Sequence, residues 1–147
     1  MPGIVVGVDG SEHSVISLEW AVREAAVRNA ALTVITVQSV AAGYFGSPVV
    51  LPTDEPAREQ LWQAANESVD KVLAGLGDGL KPASVTVRAI VGFPARELID
   101  ASRGADMLVV GSRGVGGFTR LMMGSVSSQV AQHAYCPIVI IPAGRAD

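Results

Sequence analysis

The stretch from Gly111 to Ser125 reads GSRGVGGFTRLMMGS. It carries the residue types that bind an anion through main-chain groups. Glycines at 111, 114, 116, 117 and 124 allow backbone turns closed to other residues and a close approach to a ligand. Successive amides turned inward form an anion nest. Ser112, Arg113 and Val115 lie between the glycines, and Arg113 and Arg120 add positive charge. Gly124 and Ser125 stand where a helix begins, with Val126 behind them. Free amides and the helix dipole favour a phosphate at such a place. Each hydrogen bond to a charged acceptor is worth about 1.5–3 kcal/mol, so several can hold a polyphosphate on an acidic protein. A glycine-rich turn with no ligand would have the same composition. The register, from a strand end to a helix start, favours the anion site.

A second cluster, Asp9-Gly10-Ser11, follows the first apolar run. In open α/β sheets ligands bind beyond the carboxyl ends of the strands, where the strand order reverses. If the first and fourth strands are neighbours there, Asp9 faces the glycine segment. The alternative for Asp9 is a turn-former that caps the first helix. No catalytic residue and no metal-ligand set is assigned. His13 and His133 stand alone in helical segments and read as surface or packing residues. Cys136 reads as a small hydrophobe, Glu12 and Glu24 as solvated. Trp20 reads as packing, and so does Trp62 unless it covers a ligand beside the long loop. The P-loop motif is absent: the only lysines are Lys71 and Lys81, far from the glycine segment. No G-x-G-x-x-G follows the first strand. A phospho-receiver would need an acceptor aspartate where Gly92-Phe93 stands.

The elements that must position these residues follow from hydrophobic period and punctuation. Strands are expected over Ile4–Val8, Leu32–Val37, Ser84–Val91, Met107–Val110 and Ile138–Ile141. Helices are expected over Ser14–Arg28 with Ser11 as N-cap, Ala57–Ala74, Ala95–Ser102 behind Pro94, and Ser125–Ala134. The segment Gln38–Pro56 holds two glycines and three prolines and is expected to contain no regular element. Near-continuous apolar strands, without alternation, predict an α/β fold. It is a three-layer open sheet of five parallel strands with helices on both faces, one domain over 1–147.

The chain has 147 residues, 49% hydrophobic and 17% charged, with a formal net charge of -3. Disordered chains are charge-rich and apolar-poor, so disorder is excluded. The longest apolar runs, such as Ile138–Pro142, are far shorter than the about 20 residues of a spanning helix. No broad basic surface supports nucleic-acid binding. One cysteine rules out an internal disulfide and a cysteine zinc cage. Met1-Pro2-Gly3 leads straight into Ile4-Val5-Val6 with no leader pattern, so a cytoplasmic location is expected.

At these residues the chain resembles the universal stress protein family, on its nucleotide-binding branch. The signature G-x2-G-x9-G-[ST] is filled by Gly111, Gly114, Gly124 and Ser125. The opening Ile4–Ser11, the Ser125-Val126-Ser127 triplet and Cys136–Ile141 match as well. The resemblance spans essentially the whole chain. It implies an adenine nucleotide alpha hydrolase-like sheet in the order 3-2-1-4-5. It also implies ATP, with Mg2+ or Mn2+ carried on its phosphates. Asp9 would then lie by the adenosine, and the backbone of Val37 would meet the adenine edge. Gly7 would allow a close backbone approach. Ribose and phosphates would fall to Gly111, Ser112, Arg113, Gly114, Val115, Gly116, Gly117, Gly124, Ser125 and the amide of Val126. The resemblance further implies a homodimer through Ile138–Ile141 and a regulatory part in stress response, dormancy or growth. Two alternatives stay open: a slow ATPase or other adenine-nucleotide-using enzyme, and a binder of a cyclic adenine nucleotide.

Overall fold

The computed structural model describes residues 3–39, 41–42, 48–49, 54–77, 79–112 and 124–142. Strand β1 (Ile4–Val8) leads into α1 (Glu12–Arg28) and β2 (Ala31–Ser39). Two short strands follow, β3 (Ala41–Ala42) and β4 (Pro48–Val49), then α2 (Asp54–Ala74). The rest is β5 (Ser84–Gly92), α3 (Pro94–Ala101), β6 (Met107–Gly111), α4 (Ser125–His133) and β7 (Ile138–Ile141). The main sheet has five strands in the order β5-β2-β1-β6-β7. All its pairings are parallel, so the order by chain position is 3-2-1-4-5, as expected.

Strand side chains alternate between faces, and each face feeds a different core. Ile4, Val6, Leu32, Val34, Met107 and Val109 pack under Leu18, Ala21, Val22 and Ala25 of α1 and Val69 of α2. Val5, Ile35, Leu108 and Val110 pack under Leu98 of α3 and Val130 of α4. The helices therefore cover both faces, the two long ones on one side and the two short ones on the other. In α1, Ser17 is fully buried, and its Oγ has no hydrogen-bond partner among the described residues.

Two expectations need correction. The segment Gln38–Pro56 is not without regular elements. β2 continues through Gln38 and Ser39, which pair with Val91 and Gly92 of β5. β3 and β4 form a small antiparallel ladder, and α2 starts at Asp54, ahead of Pro56. Backbone pairing extends the strand whatever the polarity of its side chains. A proline in the first helical turn lacks only an amide that has no intrahelical acceptor anyway. The second correction concerns alternation. β5 does alternate, with Ser84, Thr86 and Arg88 exposed and Val85 and Val87 half-buried. It is the edge of the sheet, so helices cover it less completely than the central strands.

Among the described residues, no helix is long and apolar enough to cross a membrane.

Candidate functional site

Strand β1 ends at Val8, and the chain turns through Asp9 and Gly10. Gly10 sits at φ 84°, a left-handed backbone that favours glycine. Asp9 Oδ1 accepts from the Ser11 amide at 2.9 Å and from Ser11 Oγ at 2.6 Å. Ser11 Oγ in turn accepts from the Ser14 amide at 3.2 Å and so caps α1. Ser14 Oγ returns a bond to the Ser11 carbonyl at 2.9 Å. Asp9 thus braces the turn, and Ser11, not Asp9, is the cap.

Strand β6 ends beside this turn, since β1 and β6 are paired neighbours. Past Gly111, the Ser112 amide donates to Ile141 O at 2.9 Å, and the Gly124 amide donates to Ser112 O at 2.7 Å. Ser127 Oγ lies 3.2 Å from Ser112 O and 3.1 Å from Gly124 O. These bonds fix the start of α4 against the end of β6. Gly124 is the N-cap of α4 and supplies no side-chain cap. Its φ of -66° and ψ of 163° are extended, so no left-handed backbone demands glycine at this position. The first intrahelical bond runs from the Ser128 amide to Gly124 O at 2.9 Å. The amides of Ser125, Val126 and Ser127 precede it and have no acceptor within the helix.

Between these two turns opens a cavity of 640 Å³. That lies inside the range of about 300–1,000 Å³ usual for small-molecule sites. Gly7, Val8 and Asp9 line it from β1, Ile35 to Ser39 from β2, and Val110 and Gly111 from β6. Gly124 to Ser127 close it at α4, with Ser14 of α1, Leu61 of α2, and Pro94 and Leu98 of α3 completing the wall. The strand order reverses between β1 and β6, so the cavity lies at the reversal. Of these lining residues only Asp9 carries a charge.

Gly7, Asp9, Val37, Gly111, Gly124, Ser125 and Val126 are therefore brought together at one cavity. Ser112 does not line it, but ties the end of β6 to the end of β7 and to the start of α4. Arg113, Gly114, Val115, Gly116 and Gly117 lie outside the described residues. At Gly7, a Cβ would come within 2.9 Å of Leu98 Cδ1. A side chain there would require Leu98 to shift, so the packing of α3 onto β1 favours glycine before any ligand is considered. The sequence reading missed Ser14, Thr36, Leu61, Pro94, Leu98 and Ser127. The strand-end rule that found Asp9 and Gly111 applies equally to the end of β5, and would have found Pro94.

Trp62 does not line this cavity. It is 47% exposed, and its Nε1 donates to the Val87 carbonyl of edge strand β5 at 3.1 Å. Glu24, half-buried, pairs with Arg28 at 2.7 Å. Trp20 packs against the core below α1. Cys136 is half-buried among residues of the α3–α4 face. Burial pushes its thiol pKa up, and the nearby Asp106 charge adds to the effect. A thiol so placed is a weak nucleophile. Among the described residues no three acidic, histidine or cysteine side chains gather into a metal cluster.

A parallel sheet in this order, with a cavity at its reversal, defines the class of doubly wound open α/β folds. The chain belongs to the universal stress protein family, whose family model matches residues 2–142. A universal stress protein of Mycolicibacterium smegmatis is 36% identical over 144 residues, covering 95% of this chain and 47% of the relative. One of Mycobacterium tuberculosis is 33% identical over 151 residues, covering 95% and 48%. The chain thus spans about half the length of the curated relatives it matches. Among solved structures, a universal stress protein in complex with cAMP has a TM-score of 0.72 at 25% identity, covering 97% of this chain and 98% of that one. The family member UspA from Lactobacillus plantarum has a TM-score of 0.70 at 24% identity, covering 95% and 97%, a likeness that shows the fold.

Proposed function

We propose that this chain binds an adenine nucleotide in the 640 Å³ cavity, with ATP as its principal ligand, and acts as a nucleotide-dependent regulator of stress response, dormancy or growth. The observation that carries the reading is the open N-terminus of α4. Three consecutive amides face a cavity and lack a side-chain cap. An anion supplies what they lack, and the helix dipole adds to the attraction. The phosphates therefore belong at Gly111 and at Gly124 to Val126. The glycine signature assigns Arg113, Gly114, Val115, Gly116 and Gly117 to the same phosphates in this reading. The nucleoside extends across β1 to the end of β2, with Asp9 by the ribose and the backbone of Val37 at the adenine edge.

The relative solved with cAMP supports an adenine ligand, and it makes a cyclic nucleotide the second candidate. Asp9, the single carboxylate of the described lining, already has Oδ1 engaged by Ser11. The residues therefore fit a Mg2+ or Mn2+ ion carried mainly by the phosphates, with Asp9 as an outer partner. Such an ion neutralises phosphate charge; the chain itself orients the nucleotide through main-chain amides. The half-buried apolar edge strand β7 (Ile138–Ile141) is the surface we assign to a homodimer.

Calorimetric titration with ATP and with cAMP tests the reading. Binding by the native chain is expected, and Ser125→Asp should weaken it about a hundredfold by setting a carboxylate against the phosphates. The variant should fold as well as the native chain, because an acidic residue suits the first turn of a helix. Equal affinity in both proteins would overturn the phosphate assignment, and no binding of either nucleotide would overturn the function.

A further inference from the structure

A second, smaller chamber of 90 Å³ adjoins the nucleotide cavity. The two share Val8, Ser14, Thr36 and Leu61 as walls, so the chamber branches from the cavity between the ends of β1 and β2 and runs in between α1 and α2. Ser68 and Ala65 of α2 close its far side. The sheet order settles which end of a bound nucleotide it serves. The open amides of α4 stand beyond β6, on one side of β1, whereas the chamber lies on the other side, toward β2. In the reading given above, on which this inference rests, that is the nucleoside end.

The walls combine aliphatic surface with three hydroxyl-bearing residues, Ser14, Thr36 and Ser68, of which Ser14 and Thr36 are 7% and 2% exposed. The volume corresponds to roughly three waters at about 30 Å³ each. It is too small for a second ring and large enough for an amino or methylamino group. We infer that this chamber is a subsite for a small hydrogen-bonding substituent on the base of the bound nucleotide, additional to the 6-amino group of adenine that meets the backbone of Val37, and so decides which purine nucleotides the protein accepts. A substituent there displaces confined water and can bond to the hydroxyls of Thr36 and Ser68, while Ser14 Oγ, which donates to the Ser11 carbonyl, remains an acceptor only. A base without one leaves the chamber to water.

The test is calorimetric titration with ATP, 2-amino-ATP and N6-methyl-ATP, which carry small groups on different edges of the base. At least one analogue is expected to bind as tightly as ATP or up to about tenfold more tightly. Ala65→Leu fills the chamber. It should weaken that analogue by about tenfold or more while changing ATP affinity by less than about threefold. Should Ala65→Leu fail to fold, as judged by circular dichroism, Ser68→Ala removes one hydroxyl without adding volume and is expected to erase the analogue's advantage alone. Loss of affinity for both analogues in the native chain overturns the inference while ATP binding leaves the function standing. So does an equal loss for ATP and analogue in the variant. Absence of ATP binding in the native chain overturns both.

Discussion

Two helices begin at the same end of the sheet, behind neighbouring strands, and border one cavity. α1 is sealed: Ser11 Oγ takes the Ser14 amide, and Asp9 holds Ser11 in place. α4 starts from Gly124, which has no side chain to offer, and its first three amides have no cap. At the N-cap itself the two starts differ, serine at α1 against glycine at α4. In the proposed function, that difference separates a helix end built for stability from one left for a ligand. A glycine N-cap in place of serine sacrifices about a few tenths of a kcal/mol. The protein accepts this cost at α4, where the cavity is, and avoids it at α1.

The contrast can be broken most sharply at Ser125. Ser125→Pro deletes one amide donor while suiting the first helical position. The extended backbone of Gly124 is the conformation a residue before proline requires. Nucleotide affinity is expected to fall by about 1.5–3 kcal/mol, at least tenfold, with the melting curve nearly unchanged. Ser125→Ala, which keeps the amide, should lose much less in the same titration. A smaller effect, of the opposite kind, is expected at α1. Ser11→Ala removes the cap and should cost about 1 kcal/mol of stability in urea unfolding, with affinity changed less than by Ser125→Pro. If the two variants exchanged these signatures, the division between sealed and open helix ends would be wrong. The smallest effect lies deeper in α1. Ser17→Ala removes a buried hydroxyl that has no partner among the described residues and improves helix propensity, so stability should rise by about 0.5–1 kcal/mol. A loss would mean that Ser17 is bonded after all.

Much of this was legible in the sequence. The apolar runs at Ile4–Val8, Met107–Val110 and Ile138–Ile141 read as strands because each is short, β-branched and bounded by turn residues, and each is one. The helix start at Ser125 was legible because Gly-Ser before a helical period has few other uses. The α4 end of the cavity was therefore visible. The end at β2 and α2 was much less so. Thr36 and Leu61 look like ordinary strand and helix residues, and they become walls only when β2 and α2 are brought together. Leu98 was invisible as the neighbour that keeps Gly7 bare, since their contact joins α3 to β1 across the fold. Trp62 was read as packing unless it covered a ligand, and its hydrogen bond to the carbonyl of an edge strand was not foreseen. The extension of β2 to Ser39 escaped notice because its pairing with β5 is set by backbone groups, which carry no side-chain pattern.

The sequence by itself determined the elements, their apolar faces and the bare helix start at Gly124. These depend on residues within a few positions of one another, through backbone preference, capping and periodicity. The tertiary structure decided which strands are neighbours, where the cavity opens and which side chains wall it. Those features depend on packing and hydrogen bonding between segments far apart in the chain, and no local pattern encodes a distant partner.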